Sequence, residues 1–115
     1  MKVIIAGSRT FNDYESLKAE LNILIQHSKV EEVVSGTAYG ADKLGGKWAK
    51  EYGFKIKKFP ANWDLYGKSA GFRRNEAMAK YATHCVVFWD GVSKGSKHMI
   101  ELAKKYNLKL KIVTF

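Results

Sequence analysis

The stretch VVSGTAYGAD, Val33 to Asp42, decides how this chain is read. Two β-branched residues run into Ser35 and Gly36, and a short turn follows. Gly40-Ala41-Asp42 then opens a segment whose apolar positions, Ala41, Leu44, Trp48 and Ala49, have helical spacing. Gly53 stands where a helix C-cap belongs. A strand, a glycine turn and a helix start in that order leave backbone N–H groups and the positive end of a helix dipole at one place, which attracts anions. The glycine spacing is not that of the dinucleotide fingerprint. It is not a Walker A loop either, because position 41 is Ala and Gly46-Lys47 runs into Trp48.

The same alternation extends in both directions. Val3-Ile4-Ile5-Ala6 is a short apolar run ending at Gly7 and reads as a strand buried on both faces. Asn12, with Glu15 three residues on, resembles a capping box ahead of a helix carrying Leu17, Leu21, Leu24 and Ile25. Val30 to Ser35 gives a second strand and Phe54 to Phe59 a third, closed by Pro60. Residues 62–70 read as irregular, and Phe72 to Ala82 as a helix with Ser69 as its cap. Cys85 to Trp89 is the most apolar strand candidate. Ser96 is placed to cap a helix bearing Met99, Leu102, Ala103 and Tyr106, and Leu108 to Thr114 forms a fifth strand. Strands alternating with helices give an α/β fold. The expectation is one Rossmann-like domain over residues 1–115, with a mostly parallel five-stranded sheet in the order 3-2-1-4-5 and helices on both faces. Ligands then lie beyond the carboxyl ends of strands 1 and 4, where the direction of winding reverses.

Composition narrows the partners. The chain has 115 residues, 20 basic and 11 acidic, for a net charge of +9 and a pI near 9.7. That excess suits anionic partners: nucleotides, phosphosugars or nucleic acid. Spread along the chain, it also describes an ordinary solvated lysine surface. No apolar run approaches a membrane span, and Met1 leads straight into KVIIAG, which turns too soon for a signal peptide. The single cysteine, Cys85, has no partner for an internal disulfide, so a reducing, cytoplasmic setting is expected. His27, His84 and His98 lie in unrelated contexts, and no spacing reads as a metal site.

Four segments carry the chemistry. Gly7-Ser8-Arg9-Thr10 offers a tight turn, a hydroxyl and a planar guanidinium fork matched to phosphate oxygens. Ser35, Gly36, Thr37 and Gly40 form the glycine turn, and Asp42 either complements the helix start or reads a ribose hydroxyl. WDGVSKGS, Trp89 to Ser96, repeats the pattern with Gly91, Gly95 and Ser96. Its Asp90 either touches sugar hydroxyls or closes an Asx turn. AGFRRNEAM, Ala70 to Met78, places Arg73, Arg74 and Asn75 in the first turn of the expected helix, where the dipole disfavours cations. Such a local conflict points either to function or to surface salt bridging with Glu76 and its neighbours. The loop PANWDLYGKSAG adds Trp63, Tyr66 and Lys68, either stacking groups or a loop anchored in the core.

Together, GSRTF, SGTAYGAD, FPANWDLYGKSAGFRRNEAM and FWDGVSKGSKHMIELAKK resemble, in order and over nearly the whole chain, the YspA-like family of the SLOG superfamily. That superfamily includes the Lonely Guy (LOG) proteins and the DNA-processing protein DprA. The family is bacterial and common in phage genomes. The resemblance implies a Rossmann-like fold that binds a nucleotide-derived ligand without a further cofactor. Its ligand loops map to Gly7, Ser8 and Arg9, to Ser35, Gly36, Gly40 and Asp42, and to Asp90, Gly91, Gly95 and Ser96, with Arg74, Asn75 and Met78 on the arginine helix. It also implies a homo-oligomer. LOG proteins cleave the N-glycosidic bond of a nucleotide with an arginine of an RKxxM motif and a glutamate of a PGGxGTxxE motif. Here the first is RNEAM, and Glu101 of VSKGSKHMIE falls two positions late, on a different helix face.

Three functions are expected to compete. The first is a module that senses or sequesters an ADP-ribose-like or cyclic-nucleotide signal. The second is a nucleoside-5′-monophosphate phosphoribohydrolase using Arg74 with Glu76, Asp90 or Glu101. The third, by analogy with DprA and from the charge, is single-stranded nucleic-acid binding.

Overall fold

The computed structural model describes residues 1–115. Strands β1 (Lys2–Gly7), β2 (Glu32–Ser35), β3 (Lys55–Lys58), β4 (His84–Trp89) and β5 (Lys109–Thr114) form one sheet in the order β3-β2-β1-β4-β5. Every neighbouring pair is parallel, with Ile4 opposite both Val34 and Cys85 at the centre. The expected order and class are the observed ones.

The central strands alternate which layer each side chain enters, as the period of two requires. Val3 and Ile5 of β1, Val33 of β2 and Val86 and Phe88 of β4 join one apolar cluster. It is completed by Leu17 and Leu21 of helix α1 (Tyr14–Ile25) and by Trp48 and Ala49 of helix α2 (Ala41–Tyr52). Ile4, Ala6, Val34, Cys85 and Val87 point to the other face. There they meet Met78 and Ala79, then Met99, Leu102 and Ala103, two further helical stripes. Continuous apolar strands are what burial on both faces demands.

Between β3 and β4 the chain departs from expectation. Residues expected to be irregular form a one-turn helix, α3 (Trp63–Tyr66), and a 3₁₀ turn (Gly67–Ser69). Asn62 caps α3 through Leu65 N at 3.1 Å. Helix α4 (Ala70–Tyr81) starts two residues before the expected Phe72. Ser69 precedes it, but its hydroxyl donates to Tyr66 O at 2.9 Å and caps nothing. Helix α5 (Lys94–Lys105) begins after Ser93, so Ser96 lies inside the first turn and is not the cap. The cap of α1 is Asp13, which accepts from Ser16 N at 3.1 Å, not Asn12. Strand β2 starts at Glu32, two residues after the expected Val30, and β5 at Lys109, one after Leu108. Gly53, left-handed at φ 74°, closes α2 as expected. No helix is long and apolar enough to cross a membrane.

Candidate functional site

Order β3-β2-β1-β4-β5 makes the loops after β1 and β4 neighbours, and hydrogen bonds fasten them together. Ser8 N donates to Phe88 O at 2.9 Å, and Asp90 N donates to Ser8 Oγ at 3.1 Å. Ser8 is buried because it bridges residues 82 apart in sequence. Arg9 and Thr10, beyond it, stay exposed.

The turn after β2 is held from within. Thr37 N donates to Ser35 Oγ at 3.1 Å, and Ala38 N to Asp42 Oδ2 at 3.2 Å. Between these brackets Thr37 adopts a left-handed φ of 62°. That conformation costs a β-branched residue on the order of 1–3 kcal/mol. Gly40 follows at φ 77°, and a Cβ there would lie 2.3 Å from Ser8 O. The β2 turn and the β1 loop are therefore in backbone contact. Asp42 is only 5% exposed. Burial pushes its carboxyl up to about 6, against the Ala38 amide and the charges of Arg74 and Arg9, which favour the ionised form.

Arg74 reaches this turn from α4. Its Nη1 donates to Gly36 O at 2.5 Å and its Nε to Asn75 Oδ1 at 2.9 Å. A Cβ on Gly36 would lie 2.7 Å from Asp42 Oδ2 and 2.8 Å from Arg74 Nη1, so carboxyl and guanidinium converge on the space that glycine leaves. Neither Arg9 nor Arg74 is in an ion pair within 4 Å; the three such pairs are Lys18–Glu51, Lys80–Glu76 and Lys111–Glu20. Burial lowers the pKa of Arg74 from its ordinary value. Asn75, also buried, turns its amide toward Gly95 O at 3.5 Å and His98 Nδ1 at 3.4 Å, joining α4 to the start of α5.

Helix α5 presents an uncapped start. Its first intrahelical bond is from Lys97 N to Ser93 O, and no side chain caps the amides of Lys94, Gly95 and Ser96. Ser93 Oγ pairs with Ser96 Oγ at 3.1 Å instead. Helix α2 starts in the same way after Gly40. The Asx turn at Asp90 is real: its Oδ1 accepts from Val92 N at 2.9 Å and Ser93 N at 2.8 Å, and these amides hold its pKa low.

These parts enclose a cleft of about 440 Å³, a volume suited to a small ligand. Ser8, Arg9 and Thr10, Asp42, Arg74 and Asn75, and Asp90, Gly95 and Ser96 line it, with Gly7 at its base. Met78 and Met99 supply an apolar side. Sequence had placed Met78 on the arginine helix, but nothing marked Met99 or Ser93 as lining residues, because contact between α4 and α5 brings them there. Of the other expected residues, Ser35, Gly36, Thr37, Gly40 and Gly91 shape the loops without lining this cleft. Gly36 and Thr37 open instead onto an adjoining cavity. Glu76 lies outside, paired with Lys80 at 3.2 Å and accepting from Tyr106 Oη at 3.4 Å, and Glu101 is exposed farther along α5. The only carboxyls in the cleft are Asp42 and Asp90. No cluster of His, Cys, Asp or Glu side chains is arranged to hold a metal ion.

A parallel sheet of this order, with helices around it, defines a Rossmann-like class of fold. Residues 1–66 match the model of the YspA, cpYpsA-related SLOG family, and the chain belongs to that family. It is 33% identical over 111 residues to the Gene 61 protein of Mycobacterium phage D29, covering 90% of this chain and 89% of that one. Its fold is similar to that of DNA processing protein A (DprA) from Streptococcus pneumoniae, with a TM-score of 0.75 and 20% identity. That match takes in 96% of this chain and 49% of the other. The Helicobacter pylori DprA, whose structure concerns its single-stranded DNA binding mode, matches with a TM-score of 0.65 at 19% identity over 97% of this chain and 64% of that one. The chain thus spans less than two thirds of either DprA chain, and at these identities the likeness is one of fold.

Proposed function

We propose that the protein binds a nucleotide or nucleotide-derived ligand, ADP-ribose-like or cyclic, at the carboxyl edge of the sheet, as a sensing or sequestering module. The carrying observation is the α5 start. Amides with no cap open into a cleft where Arg9 and Arg74 have no carboxylate within 4 Å. Uncapped amides and guanidinium groups without a carboxylate partner, lining one cavity, suit an anion. Phosphate would rest between the Gly7–Thr10 loop and the α5 start, with Asp90 or Asp42 near ribose hydroxyls. Isothermal titration against ADP, ADP-ribose, cyclic AMP and cyclic dinucleotides tests this. Binding in the micromolar range that is lost in Arg74→Ala is expected. No heat from any of them at millimolar concentration rejects it.

A second reading, single-stranded nucleic-acid binding, is favoured by a separate observation. On the far side of the 36–39 turn lies a groove of about 750 Å³ lined by Lys43, Lys47, Lys50 and Lys58. None of the four is in an ion pair, and Lys47 Nζ lies 4.2 Å from the Tyr14 ring centroid. If all four contact phosphates, the logarithm of oligonucleotide affinity falls against that of salt with a slope near −3. The double variant Lys43→Glu, Lys50→Glu should abolish that binding. A slope near zero removes the reading.

A further inference from the structure

The anion cleft does not end at the arginines. Arg9, Ala38 and Arg74 also line a second cavity, of about 460 Å³, that opens on the other side of them. Its character differs. Tyr39 stands at one border, 73% exposed, and Trp63 at another, 52% exposed, with Pro60 and Ala61 between the strand end and α3. Of the three tryptophans, Trp48 is fully buried and Trp89 donates its Nε1–H to Ser93 O at 3.1 Å. Trp89 is half-buried, and only Trp63 is exposed, on the α3 turn that sequence periodicity did not announce.

Single exposed aromatics are ordinary on protein surfaces. What is unusual here is their common cavity, its shared floor of guanidinium groups, and the effort by which one of them is placed. Tyr39 follows Thr37, the left-handed β-branched residue, and Ala38, whose amide is pinned by buried Asp42. Backbone strain maintained by two side-chain brackets fixes the turn from which Tyr39 projects. On the opposite border, Asn62 caps the single turn that carries Trp63.

We propose that this second cavity is the base subsite of the nucleotide ligand. A planar base stacks on Tyr39 and Trp63, while the phosphate lies in the adjoining cleft and Arg9 and Arg74 stand where ribose and phosphate join. This inference rests on the nucleotide reading and extends it. Stacking requires only a π face, so the subsite accepts purines and pyrimidines alike, with purines held more tightly by their larger rings.

The test compares ADP with ribose 5-phosphate, which lacks the base, by isothermal titration of the wild type, Tyr39→Ala, Trp63→Ala and Trp63→Phe. ADP should also quench the emission of Trp63, and the quench should be missing in Trp63→Phe. ADP affinity is expected to fall about five- to hundredfold in each alanine variant. It should recover largely in Trp63→Phe, and ribose 5-phosphate should bind all four proteins equally. Equal ADP affinity in all four proteins, with both compounds bound, overturns the base subsite and leaves the anion cleft standing. Failure of both compounds to bind the wild type overturns the base subsite together with the nucleotide reading. Unchanged ADP binding accompanied by a shift from dimer to monomer in Trp63→Ala makes the aromatic face a contact between copies, and overturns the subsite as well. Tyr39→Ala answers independently should Trp63→Ala fold poorly.

Discussion

Asp42 carries the most consequence per atom in this protein. Folding raises its pKa from the ordinary 3.8 to about 6, chiefly through burial. Between those values the folded chain holds a proton that the unfolded chain has released. The contribution of Asp42 to stability is therefore fully present below pH 4 and is lost as pH rises through 6. Each pH unit in that window costs about 1.4 kcal/mol. Urea denaturation of wild type and Asp42→Asn from pH 4 to 7 should show the wild type losing on the order of 2–3 kcal/mol relative to the variant. Parallel profiles would contradict it. Arg74 is the matching prediction. Arg74→Ala deprives Gly36 O of a charged donor and Asp42 of a neighbouring cation, and should cost about 2 kcal/mol in the same assay. At this scale sequence was a good guide to residue type. It marked Ser8, Arg9, Asp42, Arg74 and Asp90 by the chemistry their side chains carry. It left Asp42 with two readings, because whether a carboxyl beside a helix start is buried depends on what lies across from it.

Among the elements, helix starts and the turns before them decide the site. Gly40 sets α2 against the β1 loop, where a Cβ would sit 2.3 Å from Ser8 O in a left-handed backbone. Both atoms involved are held by backbone, so nothing can yield cheaply. Gly40→Ala should lose about 3 kcal/mol or more, a fall in Tm on the order of 10 °C. Gly46→Ala, inside the same helix and facing open space, should instead gain up to about 1 kcal/mol. Differential scanning calorimetry of the two variants gives the comparison, and equal shifts would refute the contact. The elements themselves were legible wherever an apolar stripe ran for three turns, as in α1, α2 and α5. One-turn α3 was not, since a single turn has no period to read. Caps misled by one to three positions: Asn12 and Asp13 both carry an accepting oxygen, and only the path of the chain selects Asp13.

The whole molecule is a sheet sealed between two apolar layers, and Cys85 sits in one of them with no exposed surface. Burial pushes its thiol up to about 12, so little thiolate forms at neutral pH. Labelling by a thiol reagent at pH 8 should proceed only through global opening, with a rate that follows denaturant-measured stability across the Gly40→Ala and Gly46→Ala variants. Fast labelling of the native protein would show that the layer opens locally. The sequence by itself determined the alternation of five strands with helices, and hence the parallel sheet and its order, because burial on both faces leaves a continuous apolar signature in each central strand, while the edge strands β3 and β5 alternate with lysine. It also determined which loops end at the switch point. Only the tertiary structure decided that Glu76 and Glu101 lie outside the cleft, that Arg74 crosses to Gly36, and that Tyr39 and Trp63 border one cavity. Those facts depend on how helices and turns far apart in sequence are set against each other, and local periodicity carries no record of that.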